Sequence, residues 1–218
     1  MTLLEVVNGV LRRLREDTIS NTADTTYSTM LVDYVNDAKT LVENAYDWTG
    51  LRSTITVPTV ASTTNYSLLG SGSRLKLLNV LNDTGNNVMK VMTQVELDML
   101  QTINTQPEGQ PYKYIFRGTD SNGDLTVDLY PVPDAVYSID FNGIKPQPTL
   151  VASTDDDTAL LVPSEPVLHL VLALAVRERG ETGGTSAQEH FAIADQFLLD
   201  AIALDAARHF EDAIWYTV

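Results

Sequence analysis

The chain has 218 residues and no cysteine, which excludes disulfides, thiolate metal sites and a cysteine nucleophile. Lys+Arg number 14 against 29 Asp+Glu, a formal net charge of -15. Nucleic-acid affinity comes largely from cations that displace condensed counterions, so a sequence-reading DNA binder is not expected.

The first segment, residues 1–49, reads as two helices. Thr2 and Glu5 form a T-x-x-E capping box, and Leu3, Val6, Val7, Val10, Leu11 and Leu14 recur at helical spacing, leaving Arg12, Arg13, Arg15 and Glu16 outside. No apolar h-region with a cleavage site follows, so no signal peptide is expected. Gly9 weakens this helix by about 1 kcal/mol relative to alanine. The polar stretch Asp17 to Thr26 ends it. A second helix carries Tyr27, Met30, Leu31, Tyr34, Val35, Ala38, Leu41, Val42, Ala45 and Tyr46.

The middle segment changes to strands and turns. Ile55 and Val57 alternate with threonines, and Pro58 limits that strand to an edge or an end. Tyr66, Leu68 and Leu69 form a short run. Leu75–Leu81 and Val88–Met92 flank a polar loop and predict a hairpin. Thr93 and Glu96 make a second capping box before a short helix with Val95, Leu97, Met99, Leu100 and Ile103. Tyr112–Phe116 and Leu125–Tyr130 flank Asp120-Ser121-Asn122-Gly123-Asp124, where Asn-Gly signals a tight turn. A last strand is expected over Ala135–Phe141.

Pro146, Pro148 and the Asp155-Asp156-Asp157 run read as an exposed connector. Ser164 as N-cap and Pro166 in the first turn then open a helix reaching about Arg179. A glycine-rich turn, Gly180–Gly184, follows. Ser186 and Glu189 make a third capping box before a long helix with the stripe Phe191, Ala194, Phe197, Leu198, Ala201, Ile202 and Ala206. The longest apolar run, Val167–Val176, falls short of the ~18 residues that span a membrane. The expected class is α+β: a helical bundle of N- and C-terminal helices, with an inserted, mainly antiparallel β lobe. The expected divisions are a helical lobe of residues 1–49 and 160–210, a β-rich insert of residues 50–159 with a short helix, and a tail of residues 211–218.

The search for chemistry is largely negative. There is no G-x-S-x-G, no Walker loop and no G-x-G-x-x-G after a strand, and Gly70-Ser71-Gly72 reads as a flexible loop. His169 reads as a hydrogen-bonded interior histidine. His190 and His209 are turned about 100° apart at 3.6 residues per turn, so they cannot share a metal from one helix. Asp120–Asp124 mimics the start of a calcium loop, but the twelfth position is Pro131, which has no carboxylate. The Asp155–Asp157 run reads as solvated. No catalytic, metal or cofactor site is expected. The tail, with Phe210, Ile214, Trp215, Tyr216 and Val218, is unusually apolar for a chain end. It reads either as an interface anchor or as packing on the chain's own helices.

The order of elements carries a resemblance. A helix ends in Glu43-Asn44-Ala45-Tyr46-Asp47-Trp48. A β-rich insert with a T-x-x-E helix closes on Leu129-Tyr130-Pro131-Val132-Pro133. A connector through Leu150, Asp155–Asp157 and Leu161-Val162-Pro163 leads to two further helices. This resembles the head–tail adaptor proteins of short-tailed bacteriophages, the tail tubular protein A-like family. The resemblance implies a virion protein with no enzymatic activity, made in the host cytoplasm and placed at the head–tail junction. It implies a homo-oligomeric ring of twelve copies between the portal protein and the tail nozzle protein. Such a ring encloses DNA without sequence-specific binding and touches no membrane. Portal contact is then assigned to Phe210, Ile214, Trp215, Tyr216 and Val218. Two other readings stay open: another phage neck or stopper protein, and a virion-associated peptidoglycan hydrolase with paired carboxylates.

Overall fold

A computed structural model describes residues 1–103, 107–180 and 185–208. The described residues form five α-helices and a seven-stranded sheet, an α+β fold. The chain divides into two compact units. One joins Met1–Leu51 to the described residues from Gln147 onward, and the other is Arg52–Pro146.

The helical unit begins with α1 (Leu3–Arg13). Its capping box is complete: Thr2 N donates to Glu5 Oε2 at 2.9 Å and Glu5 N donates to Thr2 Oγ1 at 3.3 Å. Leu3, Val6, Val7, Val10 and Leu11 are buried, as their spacing requires. Each such burial contributes roughly 1.5–3 kcal/mol. Gly9 has a use that helix propensity hides. A Cβ there would lie 2.8 Å from Leu168 Cδ1, so the glycine permits close approach of the helix carrying Leu168.

Helix α2 (Thr26–Ala45) starts from a box that the sequence pattern did not suggest, Thr25 with Ser28. Its buried face is Leu31, Val32, Val35, Ala38, Lys39, Val42 and Glu43. Leu41, expected in the apolar stripe, is instead 60% exposed. The face is rotated because Lys39 and Glu43 turn inward. Lys39 is 2% exposed. Its Nζ meets Glu43 Oε1 at 3.3 Å and donates to the carbonyls of Gln147 at 2.7 Å and Pro148 at 3.2 Å. Gln147 N donates back to Glu43 Oε1 at 3.0 Å.

That clasp corrects the reading of residues after Pro146 as an exposed connector. Gln147, Leu150, Leu160 and Val162 are buried. Asn36 clamps Leu150, accepting from its N–H and donating to its carbonyl. Asp156 accepts from Thr22 N and Oγ1, and Leu3 N donates to Thr158 O. The segment packs because its carbonyls and carboxylates are the partners that α1, α2 and the Asp17–Thr26 turn lack.

Helix α4 (Ser164–Glu178) packs against α1, α2 and the last helix, α5 (Thr185–Ala206). Its N-cap is Pro163 with no side-chain bond, rather than the expected Ser164. Pro166 does sit in the first turn, where its missing N–H costs nothing. Val167, Leu168, Val171, Leu172, Ala173, Ala175 and Val176 are all buried, because neighbours cover α4 on several sides. Helix α5 begins at Thr185, ahead of the expected cap at Ser186. Of its expected stripe, Ala194 alone is buried among the described residues.

In the other unit the sheet order is β1-β7-β3-β4-β5-β6-β2. These are β1 (Arg52–Pro58), β2 (Asn65–Ser67), β3 (Lys76–Asn82), β4 (Asn87–Val91), β5 (Lys113–Thr119), β6 (Leu125–Tyr130) and β7 (Ser138–Ile144). All neighbours pair antiparallel except β4 with β5. Pro58 ends edge strand β1, and both expected hairpins are present. The parallel β4–β5 pair is bridged by α3 (Gln94–Ile103), because a parallel step needs a crossover. Strand β7 starts three residues later than expected. Thr59 Oγ1 donates to Ala135 O and accepts from Tyr137 N, holding Ala135 and Val136 in a turn. Alternation then puts Ile139 and Phe141 in the core with Tyr66, Val80, Tyr114 and Val127. Gly143 is required, since a Cβ there would stand 2.7 Å from Lys76 O.

Replacing Lys39 by methionine leaves Glu43 buried without its cation. Lys39→Met should cost about 3–5 kcal/mol in urea unfolding, and Lys39→Met/Glu43→Leu should recover part of that loss. Wild-type stability in the single variant would contradict the clasp.

Candidate interaction surface

The residues singled out by sequence, Phe210, Ile214, Trp215, Tyr216 and Val218, lie outside the described residues, as does His209. The described chain ends beside a groove of about 350 Å³ walled by Trp48, Leu161, Val162, Pro163 and Leu204. Asp205 anchors the final turn of α5 there. It is 5% exposed and accepts from Thr49 N at 2.9 Å and Thr49 Oγ1 at 3.0 Å. Arg208 meets its other oxygen at 3.2 Å. Trp48 is buried with its Nε1 donating to Val42 O at 2.7 Å, so its indole is a wall rather than a protruding anchor.

Helix α5 leaves apolar side chains exposed: Ile193, Phe197 and Leu204 on one face, and Leu199 on another. In the β-rich unit Val88, Val91, Val95, Met99 and Phe116 are likewise exposed. Single exposed apolar residues are ordinary, but several on one helix are what interaction faces present. The capping box of α3 is present in part, with Glu96 N donating to Thr93 Oγ1 at 3.2 Å. The Glu96 carboxylate pairs with Lys113.

A second groove, of about 570 Å³, is lined by Arg13, Leu14, Arg15, His169, Leu172, Val176 and His190. It gathers residues that the sequence left far apart. Arg13 and Arg15 follow from α1, His169 from α4 and His190 from α5. His169 stacks on Phe197 with ring centroids 5.0 Å apart and planes 16° from parallel. His190 lies 6.4 Å from His169. Neither ring is the hydrogen-bonded interior histidine expected for His169: the Nδ1 atoms of both are buried without a partner among the described residues. Burial holds the His169 imidazole below its ordinary 6.5, and the charges of Arg13 and His190 add to this.

The remaining candidates resolve into structure. Asp120 Oδ1 accepts from the N–H groups of Asn122 and Asp124, and Oδ2 accepts from Ser67 Oγ. The Ser67 hydroxyl and these N–H groups hold the Asp120 carboxyl below its usual value. Asp124 takes the N–H groups of Gly70 and Gly72, and Ser71 Oγ accepts from Leu125 N. Gly70-Ser71-Gly72 is therefore a pinned turn with positive φ at both glycines, not a flexible loop. No three metal-ligating side chains gather among the described residues. No helix among them is long and apolar enough to cross a membrane.

The family model described as SU10 adaptor protein matches residues 1–213. Comparison with curated proteins gives no match.

Because His169 is neutral more readily in the folded than in the unfolded chain, protonation favours unfolding. Its contribution is present above 6.5 and is lost as pH falls through the lower, folded value. His169→Phe keeps the stack on Phe197 and removes the proton site. It should show a smaller drop in melting temperature between neutral and mildly acidic pH than wild type. Equal drops would contradict the assignment.

Proposed function

The chain belongs to the SU10 adaptor protein family, a family of phage head–tail adaptors, and from that premise we propose that it builds a ring between the portal and the tail nozzle. The role is structural and non-enzymatic, in the virion at the head–tail junction. The ring would hold twelve copies and surround the DNA channel. The match over residues 1–213 is the observation that carries this reading.

The physical chemistry fits. With a net charge of -15 the subunit offers DNA little to hold, so nucleic acid slides past without sequence reading. The same charge makes free copies repel one another over roughly 8 Å at physiological ionic strength. Ring assembly is then favoured on a portal that collects copies. The exposed apolar faces of α5 and of β4 with α3 supply burial area for neighbours. In this reading Met1–Leu51 and the described residues from Gln147 onward form a helical bundle, Arg52–Pro146 an inserted β lobe, and residues 211–218 a portal-docking tail. Phe210, Ile214, Trp215, Tyr216 and Val218 would make the contact. Burying one large apolar side chain is worth roughly 1.5–3 kcal/mol. Repetition around a ring turns weak single contacts into avidity.

Deleting residues 211–218 tests the docking role. The truncated protein should melt with the full chain yet fail to co-sediment with portal rings. A truncated protein that still joins portals would rule out tail docking. A fall in melting temperature would mean the tail packs on its own chain. Hydrolysis of peptidoglycan, abolished by one carboxylate substitution, would overturn the non-enzymatic reading.

A further inference from the structure

We propose that the Arg13–Arg15–His169–His190 groove is a carboxylate-binding site that receives an acidic segment of a second copy of this chain, head to tail. The inference rests on the ring reading and deepens it by assigning a contact.

Three observations carry it. The first is an imbalance. Carboxylates outnumber Lys+Arg 29 to 14, so cations are scarce and acidic partners abundant. The ion pairs found among the described residues nevertheless include none to Arg12, Arg13 or Arg15. Arg13 spends one Nη1 hydrogen on Gly9 O at 3.0 Å, which leaves most of its donors free of side-chain acceptors. Three exposed arginines within four residues of one another keep their charge for something outside the subunit.

The second is shape and chemistry. The groove is about 570 Å³, room for a side chain with its flanking backbone. Its floor is apolar, from Leu172 and Val176, and its rim is cationic. Two imidazoles line it with their Nδ1 atoms buried away from an occupant, so the guanidiniums carry the recognition. A guanidinium presents a planar fork matched to a carboxylate. An apolar floor shields such a pair from water, which strengthens it relative to a surface pair.

The third is direction. A two-fold contact with this patch on the axis would set guanidinium against guanidinium. A heterologous contact sets it against the acidic surface of the next copy, and its repetition closes into a ring where the rotation between copies divides a full turn. Double-stranded DNA is the competing occupant. The net charge of the chain opposes it, whereas a second copy carries 29 Asp and Glu residues.

The test compares two pairs of substitutions that change net charge equally. Arg13→Gln/Arg15→Gln empties the groove of arginine. Arg52→Gln/Lys76→Gln removes two exposed cations from β1 and β3. Self-association of the full chain is measured by sedimentation across a wide concentration range. The salt is roughly 0.3 M, where the screening length is below ~8 Å. The groove pair should weaken association by about tenfold or more, and the control pair by far less. Equal weakening by both pairs would reduce the effect to net charge and overturn the site. So would a wild type that stays monomeric throughout. Retained self-association with lost retention of double-stranded DNA would assign the groove to phosphate and overturn it too. If the double variant fails to fold, Arg15→Gln alone carries the comparison, because no hydrogen bond or ion pair is found for its side chain among the described residues. A wild type that forms only two-fold dimers would overturn the head-to-tail contact.

Discussion

A buried ammonium costs several kcal/mol unless its charge and all its donors find partners. Lys39 meets that constraint by closing on the Glu43 carboxylate and on two carbonyls, those of Gln147 and Pro148. Much of the helical unit follows from this. The pair fixes which face of α2 turns inward, and so leaves Leu41 outside. It also fixes where the chain resumes after Ile144. From there Asn36 holds Leu150, Thr22 holds Asp156, and α1 holds Thr158. An apolar pair at positions 39 and 43 would have given similar burial without specifying these polar partners. The clasp contributes register more than raw stability.

The same logic explains what was legible in the sequence. α1 could be read because every signal agreed: a capping box, a clean period and arginines on the far face. The hairpins could be read because Asn122-Gly123 and the loop before Asn87 carry their own turn chemistry. Lys39 and Glu43 could not, because an i,i+4 Lys–Glu pair looks the same on a solvent face as inside. Their backbone partners lie more than a hundred residues away, and no local pattern reports them. Strand β7 was misplaced for a similar reason. Ala135 and Val136 favour burial by composition, while a distant hydroxyl, that of Thr59, holds them in a turn.

The interaction surface was legible only in kind. An acidic chain without catalytic motifs pointed to assembly rather than chemistry, and membership of the SU10 adaptor protein family agrees with that. The residues were harder. The apolar stripe of α5 was visible as a period, yet a stripe does not say whether its own unit or a neighbour covers it. Phe197 and Ala206 of it are exposed, and Ala194 alone is buried among the described residues. The arginine–histidine groove was invisible because it joins the end of α1 to α4 and α5. The one available signal was the crowding of Arg12, Arg13 and Arg15 in a chain otherwise poor in cations. In the proposed ring these features divide the labour: net negative charge keeps copies and DNA apart, and local cationic and apolar faces give neighbours a place to bind.

Electron microscopy of the chain mixed with portal rings tests the adaptor reading most directly. The account predicts a closed ring of copies of this chain, twelve in number, seated coaxially on the portal with an open central channel. Portal rings that stay bare, or that carry copies scattered without rotational order, would contradict it.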